Sequence, residues 1–194
     1  NGTVAIGKDA LKILTTGGGN TAVGYSTAVA LTKGRYNTIM GDRSLYTEDV
    51  GDFSTAIGYN SLYSQNSDSD NEVTGNTGLG AYTGFNNVTG QNNTYVGYNS
   101  GFGVDGNSNS GNTGVGKNTL KAITSGGSNV CIGNVAGGAI TTGSENVIIG
   151  SLAGDGFDAE SGNTIVGYGA GTSGSWTAAS VTAIGHGAMG AGAT

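Results

Sequence analysis

The sequence predicts an all-β solenoid, a single repeat domain over residues 1–194 in which about eleven turns of about 17 residues stack along one axis. Three observations carry this prediction. First, the unit NTAVG at 20–24 returns as NTIMG at 37, NTGLG at 76, NTYVG at 93, NTGVG at 112 and NTIVG at 163. Second, the glycines that close the copies (Gly7, Gly24, Gly41, Gly58, Gly80, Gly97, Gly116, Gly133, Gly150, Gly167 and Gly185) recur at one fixed spacing, with longer intervals only where they close at Gly80, Gly116 and Gly185. That period is too short for a helical hairpin or a propeller blade and suits one turn of backbone per repeat. Third, 40 glycines, no proline and an abundance of Asn, Ser and Thr disfavour helix interiors and favour turns.

Each unit alternates, so in NTAVG Thr21 and Val23 point to one face and Asn20, Ala22 and Gly24 to the other. The position before the glycine is apolar in every copy: Ile6, Val23, Met40, Ile57, Leu79, Val96, Val115, Ile132, Ile149, Val166 and Ile184. This column is expected to be the solenoid core. A small residue stands three positions after each glycine (Ala10, Thr27, Ser44, Ser61, Thr83, Ser100, Thr119, Ala136, Ala153, Ala170, Ala188), as a narrow interior requires. The Asn that opens most copies (Asn20, Asn37, Asn76, Asn93, Asn112, Asn129, Asn146, Asn163) is expected to stack at one corner.

One to three modest buried side chains per repeat do not offset the ordering of a whole turn of backbone, so a second apolar face turned toward other chains is expected. Ile39, Tyr95, Cys131, Ile148 and Ile165 in mid-strand, with Leu11, Leu45, Leu62, Leu120 and Met189 four positions after the glycine, are read as that face. Its partner is another copy of the chain.

TVAIG at 3–7, STAIG at 54–58 and VTAIG at 181–185, each with Ala or Ser three residues after the glycine, resemble the head repeats of trimeric autotransporter adhesins. The longer TTGGGNTAVGYSTA at 15–28 is similar to repeats of bacteriophage tail fibres. The resemblance implies a homotrimer of left-handed parallel β-rolls in a virion tail fibre or on a bacterial cell surface, attaching to a glycan or protein receptor of a host. The general preference for right-handed parallel crossovers predicts the opposite hand; for connections this short the resemblance is followed. A repeat filament or sheath subunit without a receptor is the alternative, and a polysaccharide-active solenoid enzyme a further one.

The remaining signals sort mostly to structure. A net charge of −6 with seven Lys and Arg argues against nucleic acid and anionic bilayers, and no apolar run is long enough for membrane insertion. No cofactor is expected. The G-x-G-x-x-G matches at 101, 169 and 185 open no helix, and the single histidine, His186, lacks a second ligand. Of the acidic clusters Glu48, Asp49 and Asp52, then Asp68, Asp70 and Glu72, then Asp155, Asp158 and Glu160, the last two have no basic residue near them in sequence, and Arg35 and Arg43 are the only arginines, whereas a lyase needs cations beside its carboxylates; no catalytic residue is assigned and no enzyme is expected. Asp68, Asp70 and Glu72 alternate as Ca²⁺ ligands do, although the ligand set is incomplete and no metal site is assigned.

Cys131 reads as a small buried hydrophobe and the sequons at Asn1, Asn87 and Asn92 as chance. Five positions after the glycine, Tyr46, Tyr63, Phe85 and Phe102 form an aromatic ladder, read either as a subunit interface or as a glycan-contact platform. A second set, Tyr25, Tyr59, Tyr98 and Tyr168, follows the glycine directly. The Thr column (Thr21, Thr38, Thr55, Thr77, Thr94, Thr113, Thr164, Thr182) shares a face with the apolar column read as core, which would turn it inward and argues against ice binding.

Overall fold

The computed structural model describes residues 2–172 and 179–190. Each repeat contributes one three-residue strand: β1 (Val4–Ile6), β2 (Thr21–Val23), β3 (Thr38–Met40), β4 (Thr55–Ile57), β5 (Thr77–Leu79), β6 (Thr94–Val96), β7 (Thr113–Val115), β8 (Val130–Ile132), β9 (Val147–Ile149), β10 (Thr164–Val166) and β11 (Thr182–Ile184). The strands form one parallel sheet in sequence order, so the fold is an all-β solenoid in which each turn of chain adds one rung. Register is strict: Thr21 lies opposite Thr38, Thr38 opposite Thr55, and Val23 opposite Met40. β-branched residues at the strand ends favour this extended backbone.

The glycine that follows each strand ends it. Gly41 has φ +134°, and a Cβ there would press against the Gly58 carbonyl of the next rung, so the column admits only glycine. Three further positions in each turn sit in the left-handed region, for example Tyr36 (φ 56°), Arg43 (φ 51°) and Leu45 (φ 51°). These reversals aim successive amides in opposite directions along the stack: Arg43 N–H donates to Tyr25 O in the rung before, and Leu45 N–H to Ser61 O in the rung after. The ladder of backbone hydrogen bonds therefore continues around the turn, well beyond the strands.

The interior corrects the expected core. Ile6, Val23, Met40, Ile57, Leu79, Val96, Val115, Ile132, Ile149, Val166 and Ile184 face outward, with Ile6 59% and Ile184 69% exposed and the mildest of them only half-buried. The inward position is mid-strand: Ala22, Ile39, Ala56, Tyr95, Cys131, Ile148 and Ile165 are fully buried. Leu45, Leu62 and Leu120, four positions after the glycine, pack with them, as do Leu31, Ile123, Ile140 and Phe157 from the far wall. The residues read as an intersubunit face are thus the core, and those read as the core form an outer face.

The physical reason lies in Asn. Alternation puts Asn20 and Ala22 on the same side of the strand, and every ladder Asn is fully or almost fully buried because its amide is satisfied inside. Asn20 Oδ1 accepts from Asn37 N–H (2.9 Å) and Asn37 Nδ2 (3.2 Å), while Asn37 Nδ2 donates to Gly51 O (2.9 Å). The pattern repeats from Asn76 to Asn93 and from Asn112 through Asn129 and Asn146 to Asn163. The expected corner of stacked Asn is present, held by side-chain amides running along the axis. The expected small column is buried too from Thr27 to Ala170, with Ala10 and Ala188 at its two ends half-buried, and its hydroxyls are bonded to backbone carbonyls or to each other, as in Ser44 to Ala56 O and Ser61 with Thr83.

Core volume is matched between rungs. Tyr95 lies in the mid-strand column between Gly78 and Gly114, and Gly101 has no room for a Cβ, which would stand inside the Tyr95 ring. The Tyr95 hydroxyl donates to Asn109 Oδ1. Burial pushes its pKa above the usual phenol value and pushes the Cys131 thiol up to about 12.

Candidate functional site

The strand repeat carries two outward columns over its whole length, with a side chain about every 4.8 Å along the stack. One is the apolar column. The other is Thr at eight rungs and Val at three (Val4, Val130, Val147), each half-buried or exposed. The Thr side chains therefore face solvent, contrary to the inward direction expected from the sequence. Neither column contains a charge.

The interruptions of the repeat gather between positions 42 and 116. The two most lengthened repeats lie there, one closing at Gly80 and the other at Gly116. The Asn column breaks at Ser54, and Gln65 fills the gap by accepting from Asn76 Nδ2 (3.0 Å) and donating to Ser54 Oγ (3.0 Å). Gln65 Nε2 also donates to the fully buried Glu48 carboxylate (2.9 Å), which accepts from the amides of Val50, Gly51 and Ser67 and from the Ser67 hydroxyl. In the regular turns the equivalent inner position holds Leu31, Ile123, Ile140 or Phe157, and in the turn after Gly80 it holds the buried Asn87.

The aromatic ladder is in the same rungs. Tyr46, Tyr63, Phe85 and Phe102 stack within one chain at centroid separations of 5.0, 5.0 and 5.2 Å, with planes within 15° of parallel. Spacing close to one rung means that the rings lie across the axis. Their faces cover one another and mainly their edges meet solvent, whereas a sugar platform needs free faces.

A second cluster adjoins the ladder. Ala81 interrupts the tyrosines that directly follow the glycine, and Tyr82 places its ring between Tyr59 (5.2 Å, 85°) and Tyr98 (6.1 Å, 89°). It is tilted by 59° from Phe85 and 56° from Phe102, so its face turns away from the stacking direction. Desolvation first, then a hydrogen bond and charge interaction with Tyr59 and the nearness of Tyr98, hold the Tyr82 hydroxyl above its ordinary pKa. Sequence reasoning missed Tyr82 because it sits one position out of the tyrosine column; the alanine at 81 was the available signal.

The other singled-out residues are dispersed. In the inserted loop Asp70 pairs with Lys33 (3.1 Å), and Glu72 accepts from the amides of Asp68 and Ser69 and from Gln91 Nε2. Among the described residues no three His, Cys, Asp or Glu side chains are grouped to hold a metal. Glu160 accepts from the amides of Asp158 and Ala159. His186 stacks on Tyr168 (5.3 Å), and Cys131 is buried. Asn87 is buried and bonded to Gly90 O, while Asn92 is exposed. The sequon at Asn1 and the end of the glycine run at 169–174 lie outside the described residues. No helix among the described residues is long and apolar enough to cross a membrane.

No family model, curated protein or solved structure matches the chain. What the fold defines is a class, the parallel β-solenoid repeat proteins.

Proposed function

We propose that the chain is a non-enzymatic fibre segment that assembles as a homotrimer of left-handed β-rolls, in a virion tail fibre or a bacterial surface adhesin, and attaches to a glycan or protein on a cell surface. One observation carries this: the uncharged outer face of β1–β11. Ten intervals of about 4.8 Å make it about 48 Å long, and a three-residue strand makes it about 10 Å wide, so about 480 Å² is apolar or Thr. Contiguous uncharged faces with an unbroken apolar stripe often mark interaction surfaces on soluble proteins. Cyclic packing of identical chains would cover three such faces at once. The exchange of inner and outer columns strengthens the argument, because the outer apolar column is continuous where the supposed interface residues were intermittent.

Light scattering tests the assembly. Mass in solution is expected at three times the chain mass of 19.0 kDa, and a folded species of 19.0 kDa overturns the trimer. Glu at both Val115 and Ile132, on adjacent rungs of the face, is expected to release folded monomers.

The outward Thr column favours a second reading. A flat, rigid face of Thr and Val in strict register suits ordered water or ice, provided it is free. The same measurement separates the two: a 19.0 kDa monomer with thermal hysteresis supports ice binding, and a trimer that hides the face excludes it.

A further inference from the structure

We propose that Tyr59, Tyr82 and Tyr98 form the contact site for a neutral polysaccharide; this rests on the attachment role above and replaces the stacked ladder as its glycan surface. The three rings are a built irregularity in a repetitive wall. Ala81 vacates a place in the column, and Tyr82 fills it with a ring that meets both neighbours at right angles within 6.1 Å. Tyr59 and Tyr98 are 41% and 49% exposed, so ring surface and phenol hydroxyls reach solvent together. A pyranose presents the complement, an apolar C–H face ringed by hydroxyls. Tyr46, Tyr63, Phe85 and Phe102 lack that opening because each covers the next.

Charge selects the class of sugar. Asp42 and Lys117 flank Tyr59 and Tyr98 one rung out in the same column, and Asp42 is paired with Arg43 (3.6 Å), so the ring positions 59, 82 and 98 themselves carry no charge. The whole chain at −6 repels polyanionic glycans. The two lengthened repeats, closing at Gly80 and Gly116, fall in the same rungs, and irregular loops on a rigid scaffold are where binding surfaces usually form.

The test uses the assembled wild-type protein and Tyr82→Ala, Tyr82→Phe and Tyr36→Ala on immobilised mannan, dextran and galactan. Wild type is expected to be retained by at least one. Tyr82→Ala should then weaken retention at least tenfold with its melting temperature unchanged, Tyr82→Phe should lie between, and Tyr36→Ala, whose exposed ring stacks on Phe53, should match wild type. Absence of wild-type retention on all three matrices, or equal retention of Tyr82→Ala, overturns the site. Should Tyr82→Ala fold poorly, the near-ultraviolet dichroism of wild-type tyrosines decides: a change on adding the retained polysaccharide supports the site, and no change overturns it. Cell attachment is scored separately. Wild-type attachment to bacteria that Tyr82→Ala preserves, or that protease treatment of the cells abolishes and periodate does not, sinks the polysaccharide site and leaves the attachment role standing; no wild-type attachment sinks the role itself.

Discussion

At Ile148 and Lys121 the difference between inside and outside is a matter of which way one side chain points. Ile148 is fully buried in the mid-strand column and Lys121 is exposed beside the core residue Leu120. Asp at 148 would bury an unpaired carboxylate, at a cost of several kcal/mol. Asp at 121 is expected to be nearly neutral, and comparing the two melting midpoints checks the inward assignment. Gly101→Ala should also destabilise, by a few kcal/mol, since the added methyl meets the Tyr95 ring and the residue sits at φ +59°. The buried Cys131 thiol titrates normally near 9.0 and at about 12 in the fold, so the unfolded chain releases its proton first as pH rises. Its contribution to stability is therefore complete below about pH 9 and is lost between about 9 and 12. A denaturation series across that window should fall more steeply for wild type than for Cys131→Ala.

At the scale of the rung, the amide ladder does the work that a large apolar core does elsewhere. From Asn20 to Asn146 each ladder Asn donates to one backbone carbonyl and accepts from the next rung, as Asn112 does with Gly126 O and the Asn129 backbone. Asn112→Ala would strand a buried amide and a buried carbonyl, costing about 1–3 kcal/mol for each. The midpoint of chemical denaturation measures that cost, and a change below about 0.5 kcal/mol would show that the ladder is dispensable. The period, strand positions, closing glycines, small column and stacked Asn were all legible in the sequence, because each is a residue type repeated at fixed spacing. The inner face was not. Alternation assigns Thr21 and Val23 to one side and Ala22 to the other without saying which side is in, and apolar character alone favoured Val23. The decisive fact is that Asn20 shares the side of Ala22 and can be buried when its amide finds partners one rung away. Tyr82 escaped notice for a related reason: periodic analysis finds residues in columns, and this ring enters its column from the adjacent position.

Over the whole molecule, every strand pairs only with its neighbours in sequence, and both outer columns run unbroken from β1 to β11. The trimer reading belongs to this scale, since no single rung presents enough surface to associate. Cumulative placement of Glu along the apolar column should therefore weaken assembly in steps while far-ultraviolet dichroism stays constant. Loss of the β signal together with the mass would instead mean that the monomer cannot stand alone.

The backbone ladder described for each turn also has a mechanical meaning. Its hydrogen bonds lie along the long axis, so a pull from end to end loads the bonds between two rungs end-on and together. The covalent chain does not bear the load until a rung gives way. Each release then frees about 17 residues, or about 55 Å of slack. A single molecule held at its two ends should accordingly extend in a sawtooth with that spacing, each tooth a rung surrendered while those beyond it remain folded.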